Sequence, residues 1–72
     1  MTDFVLNNSS GLWHVYEEDS LGRTKLGVFD TKTQAVYATE DLLRKESGRN
    51  RMVIKTEGVI RETITYIDGV EQ

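Results

Sequence analysis

Residues Thr31 to Gly48 carry the periodicity of one amphipathic helix, and that single stripe limits what the rest of the chain can become. Ala35, Ala38, Thr39, Leu42 and Leu43 recur at the three- and four-residue spacing of one helical face, with Val36 on its edge. Thr31 followed three residues later by Gln34 is a capping-box pattern, in which each side chain can satisfy the other's free backbone donor. Arg44 and Lys45 suit the negative end of the helix dipole, and Gly48 can take a left-handed closing conformation. A helix with one apolar face needs a second layer to cover it. On this reading Leu42→Asp buries an unpaired charge and unfolds the domain.

Two hairpins supply the second layer. Leu12 to Glu17 alternates, with Trp13 and Val15 on one face and His14 and Tyr16 on the other. Glu18 to Gly22 is the turn, and Thr24 to Phe29 the return strand. Pairing Val15 with Leu26 and Trp13 with Val28 gathers four apolar side chains on one side and sets Gly27 opposite His14. After the helix, Arg51 to Lys55 and Val59 to Ile67 form a second hairpin. A three-residue loop of Thr56, Glu57 and Gly58 pairs Ile54 with Ile60, placing Ile60, Ile64 and Tyr66 on the inner face beside Glu62. The expected architecture is α+β: a single two-layer β-β-α-β-β domain over residues 12–67, a four-stranded antiparallel sheet with one helix packed on one face. Residues 1–11, ending in Asn7-Asn8-Ser9-Ser10-Gly11, read as an N-terminal arm, and residues 68–72 as a polar tail. The sheet face away from the helix would show His14, Tyr16, Gly27, Phe29, Val53, Arg61, Thr63 and Thr65.

Composition narrows the function. Seventy-two residues hold one small core, and the absence of cysteine removes disulfides and thiolate metal sites as stabilisers. No stretch approaches the roughly 18 apolar residues of a membrane span, and Asp3 stands where a secretory signal would be basic. A cytoplasmic setting is expected, with no membrane association. The net charge of −3 is unevenly spread. Arg44, Lys45, Arg49, Arg51, Lys55 and Arg61 face only Glu46 and Glu57, a local +4, and the remainder is −7.

Trp13-His14-Val15, the run Phe29-Asp30-Thr31-Lys32-Thr33-Gln34-Ala35, Met52-Val53-Ile54 and Glu57-Gly58-Val59-Ile60 together resemble domain-of-unknown-function family 2188, short domains of bacteria and phages. That family repeats a W-x-V strand, a D-T-x-x-x-A helix start and a late D-G-x-I hairpin. The similarity covers Trp13 to Tyr66, with Glu57 in place of the turn aspartate and an added N-terminal segment. It implies a β-β-α-β-β fold in a prokaryotic or phage setting, and brings no catalytic residues.

No constellation of side chains points to a reaction. His14 is the only histidine, and no nucleophile elbow accompanies Ser9, Ser10, Ser20 or Ser47. Glu17-Glu18-Asp19 lacks the alternating oxygen ligands and central glycine of a calcium loop, and the six glycines occur singly, without a phosphate-cradling loop. The expectation is therefore no enzyme, no cofactor, no metal and no small-molecule substrate. The first reading is a small protein–protein interaction or accessory domain with a protein partner or a second copy of itself. Its interface would use Tyr16, Phe29, Tyr37 and Val53 with Arg61 as anchor, since interface centres favour aromatics and arginine. The alternative is nucleic-acid binding through Arg44, Lys45, Arg49, Arg51 and Lys55, with Tyr37 as the stacking aromatic.

Overall fold

Two uninterrupted apolar triplets, Phe4-Val5-Leu6 and Met52-Val53-Ile54, lie side by side at the centre of the sheet. An unbroken apolar run is what a strand covered on both faces requires. In the computed structural model, which describes residues 1–72, Asp3–Ser9 forms β1 and pairs in parallel with β4, Arg49–Thr56. Phe4 lies against Met52, Val5 against Val53 and Leu6 against Ile54. From β1 the chain meanders outward through β2 (Leu12–Asp19) and β3 (Gly22–Phe29). It then crosses back through α1 (Lys32–Leu43) to β4, and runs outward on the other side through β5 (Val59–Ile67) and the short β6 (Val70–Glu71). The sheet is six-stranded, in the order β3-β2-β1-β4-β5-β6.

The expected four-stranded β-β-α-β-β sheet is thus corrected to β-β-β-α-β-β-β. The segment 1–11, read as an arm, supplies a central strand, because its three-residue apolar run is a strand buried on both sides and shows no alternation. Residues Asn7, Asn8 and Ser9 continue that strand, and only Ser10-Gly11 turns, with φ of 54° and 79°. Part of the tail read over 68–72 is a strand too. Asp68-Gly69 makes the same left-handed pair as Ser10-Gly11, at 51° and 82°, and turns β5 into β6.

Both hairpin registers also differ from expectation, for one shared reason. Glu57 and Gly58, at 49° and 80°, form a two-residue turn, so Thr56 faces Val59 and Lys55 faces Ile60. A β-bulge then inserts Arg61, and Ile54 pairs with Glu62 rather than Ile60. The bulge returns Ile64 and Tyr66 to the helix side and leaves Ile60 exposed. In the first hairpin the inserted residue is Leu26. Trp13 pairs with Phe29, Val15 with Gly27 and His14 with Val28. Phe29 and Gly27 therefore face the helix, where the Phe29 ring passes within 3.5 Å of the position a Gly27 side chain would take.

The helix matches its sequence pattern closely. Thr31 Oγ1 accepts a hydrogen bond from the Gln34 N–H at 3.2 Å, and Ala35, Thr39 and Leu43 are buried against the sheet. The Thr39 hydroxyl donates to the Ala35 carbonyl at 2.8 Å, so its burial leaves no unpaired donor. Phe4, Leu6, Val15, Ala35, Leu43, Met52, Ile54 and Tyr66 form the core, with Trp13, Phe29, Val36 and Ile64 packed around it. Leu42 is corrected from core to rim: it is 39% exposed, whereas Leu43 is 0%. Leu43→Ala is expected to cost about 2–5 kcal/mol and Leu42→Ala less than about 1 kcal/mol, read from urea midpoints. Similar losses at the two positions would contradict this packing.

The helix ends against the last turn. Gly48 N–H donates to Asp68 Oδ1 at 2.8 Å, and Asp68 N–H returns a bond to the Gly48 carbonyl at 2.9 Å. A Cβ on Gly69 would collide with the Arg44 carbonyl oxygen, whereas one on Gly58, at a similar φ, would meet nothing within 4 Å. Gly58→Ala should lose about 1–2 kcal/mol, the cost of a side chain in the left-handed region. Gly69→Ala should lose roughly 1–3 kcal/mol more through overpacking. Equal thermal shifts for the two variants would show that β6 does not pack on the helix end.

Candidate functional site

Only one face of the sheet carries a helix, so the other face shows its side chains directly. Strand pairing orders them into rows that cross the strands. One row holds Lys25, Tyr16, Val5, Val53 and Thr63, and the next holds Arg23, Glu18, Asp3, Arg51 and Thr65. A third holds Val28, His14, Asn7, Lys55 and Ile60.

The centre of this face is apolar yet closed. Val5 and Val53 are only 4% and 6% exposed although no second layer lies over them. Their neighbours are long polar side chains, whose stems lie along apolar surface while the heads reach solvent. Arg51 makes a bidentate ion pair with Asp3, its register partner on β1, at 2.9 and 2.7 Å. The hydrogen bond and charge of Asp3 hold the Arg51 guanidinium above its ordinary pKa. Arg23 lies over the Tyr16 ring, 4.3 Å from its centroid, and reaches Glu18 at 3.7 Å. Lys25 approaches the same ring at 5.9 Å. Beside this stack is a hollow of about 200 Å³ lined by Val5, Asn7, Tyr16, Arg23, Lys55 and Gly58. Asn7 Oδ1 accepts from the Gly58 N–H at 3.0 Å, which leaves the amide nitrogen of Asn7 as a donor. The Nδ1 atom of His14, next to Asn7 in the third row, is buried without a hydrogen-bond partner.

Charge is separated between the two sides of the molecule. Arg23, Lys25, Arg49, Arg51 and Lys55 lie on the open face against Asp3 and Glu18, a local +3. The helix side, turns and edges hold the other four basic and ten acidic residues, −6. Both acids of the open face are engaged by arginine, whereas no salt bridge engages Lys25, Arg49 or Lys55.

The residues singled out from sequence are dispersed by this geometry. Of the candidate interface set, Tyr16 and Val53 share the open face, with Val53 covered. Phe29 packs against the core, Tyr37 stands exposed on the helix, and Arg61 is the inserted residue of the β5 bulge. Of the candidate nucleic-acid set, Arg49, Arg51 and Lys55 alternate onto the open face. Arg44 sits at the helix end, 3.3 Å from Glu40 and 3.7 Å from Asp41, and Lys45 follows it in solvent. Tyr37 lines a shallow depression with Lys32, Thr33 and Val36, on a different element from those strand cations. Sequence reasoning passed over Arg23, Lys25 and Asn7. The alternation that sets Lys25 opposite Tyr16 and Arg23 opposite Glu18 was available in the expected hairpin register, and the bulge at Leu26 leaves it unchanged. The chain matches no family model, no curated protein and no solved structure.

Proposed function

We propose that this chain is a small non-enzymatic binding domain that takes an anionic partner on the open face of its sheet. The observation that supports this reading is the charge separation: a +3 sheet face on a chain whose net charge is −3. Segregated cations of this kind raise the local concentration of an oppositely charged partner and orient it before contact. The closed apolar centre favours the same reading, because Val5 and Val53 leave little hydrophobic area for a dry interface.

Retention on immobilised heparin tests the face directly. Lys25→Glu with Lys55→Glu should elute at lower salt than the parent, and Lys32→Glu with Lys45→Glu, off this face, should elute nearer the parent. Asp3→Asn, which frees Arg51, should elute later. Equal losses from the two lysine pairs would place the binding elsewhere.

A protein partner is the second reading, favoured by a separate observation. Val59, Ile60, Ile67 and Val70 are exposed along the β5–β6 margin, and the two-residue β6 covers only the end of β5. An uncovered strand edge with apolar side chains is a pairing surface. On that reading the chain is a dimer in light scattering, and Ile60→Lys turns it into a monomer. A parent that is already monomeric at high concentration would remove self-association.

A further inference from the structure

We infer that the anionic partner is single-stranded nucleic acid, laid across the strands with a base on Tyr16 and phosphates on Lys25, Arg23 and Lys55. This rests on the reading of the open face as an anion-binding surface and names its occupant. Three observations point the same way. Tyr16, the one Phe, Tyr or Trp ring in the rows of this face, lies between the basic groups of β3 and those of β4. Lys25 and Lys55 stand three strand spacings across and two residues along the sheet from one another, about 16 Å, so a chain of repeating charges suits them better than one small anion. The hollow of about 200 Å³ is lined by two cations, Arg23 and Lys55, with Asn7, Tyr16 and Val5 beside them, and by no carboxylate.

The arrangement also supplies an exchange that a polyanion without rings cannot use. In the free protein the Arg23 guanidinium covers Tyr16 at 4.3 Å and touches Glu18 only at 3.7 Å. A phosphate in the hollow offers Arg23 a charge-assisted, bidentate partner. Its departure uncovers the ring, and a base takes the place of the guanidinium by stacking. A peptide of acidic side chains alone, such as polyglutamate, could satisfy the cations but has nothing to lay on the ring. A duplex keeps its bases stacked internally and gains from the cations alone.

Fluorescence anisotropy of the full chain with a labelled, mixed-sequence single strand of about 12 nucleotides tests this, with the matching duplex and polyglutamate as competitors. The single strand should bind and outcompete both at equal charge. Tyr16→Leu should weaken binding about tenfold, and Tyr16→Phe, which keeps the ring, should bind as the parent does. Lys55→Gln should lower the slope of log affinity against log salt by about 0.7, the share of one phosphate contact on a single strand. This variant leaves the ring in place, so it carries the test if Tyr16→Leu does not fold. Polyglutamate or duplex competing equally, or Tyr16→Leu folding and binding unchanged, would overturn the nucleic-acid assignment. If heparin retention still depended on Lys25 and Lys55, the anion-binding face would stand with an acidic protein as its partner. Loss of both oligonucleotide and heparin binding at low salt would overturn both readings.

Discussion

The parallel pairing of β1 with β4 is the contact on which the remaining structure depends. It joins two meanders that otherwise meet only across the helix, and it brings together residues 48 positions apart in the chain. Closing so long a loop costs conformational entropy before any contact repays it. The pairing is accordingly secured at both ends. At one end the Thr2 N–H donates to the buried Asn50 Oδ1 at 3.0 Å, and Asp3 grips Arg51. At the other, the Glu57 N–H reaches the Asn8 carbonyl at 2.8 Å and the Gly58 N–H reaches Asn7. Between these ties six apolar side chains stack in three cross-strand pairs, covered by α1 on one side and by polar side chains on the other.

That last cover links stability to function. A sheet with a bare second face exposes its central valines unless something shields them. Here the shield is made of charged and aromatic side chains on neighbouring strands, so the groups that protect Val5 and Val53 are also the groups available to a partner. Asp3 restrains one of them, Arg51, and Glu18 holds another, Arg23, at a longer distance. The face is partly neutralised at rest, and its remaining charge sits on Lys25, Arg49 and Lys55, which nothing in the fold pairs.

The two bulges explain how short turns and consistent faces coexist. A left-handed two-residue turn forces a register, and in the second hairpin that register would send Ile64 and Tyr66 to the open side. Inserting Arg61 shifts the strand by one and restores them to the core. Leu26 does the corresponding work in β3, where it brings Gly27 and Phe29 beneath the helix while Lys25 and Arg23 keep the outward places that the turn gives them. The Leu26 insertion also blunts the β3 edge of the sheet, since a bulged strand twists and pairs poorly with a stranger.

The sequence by itself determined the features that depend on neighbours along the chain. The helix start at Thr31, its buried Ala35, Thr39 and Leu43 and the Trp13–Val15 alternation all follow from local periodicity and backbone preference, whereas the loop read over Thr56 to Gly58 closed as the two-residue turn Glu57-Gly58. Leu42 and Leu43 show the limit of that reading: adjacent positions on one stripe, of which only the packing against the sheet decides which is core. Tertiary structure alone decided that Phe4-Val5-Leu6 is a central strand, because three apolar residues become a strand only when a distant partner, Met52-Val53-Ile54, completes the ladder. It also decided the candidate site. Tyr16, Arg23 and Lys25 share a face in the expected hairpin register as in the observed one, but Asn7 and Lys55 join them only through the parallel pairing. That pairing has no local signature, since it exists only as the best fit between segments far apart in the chain.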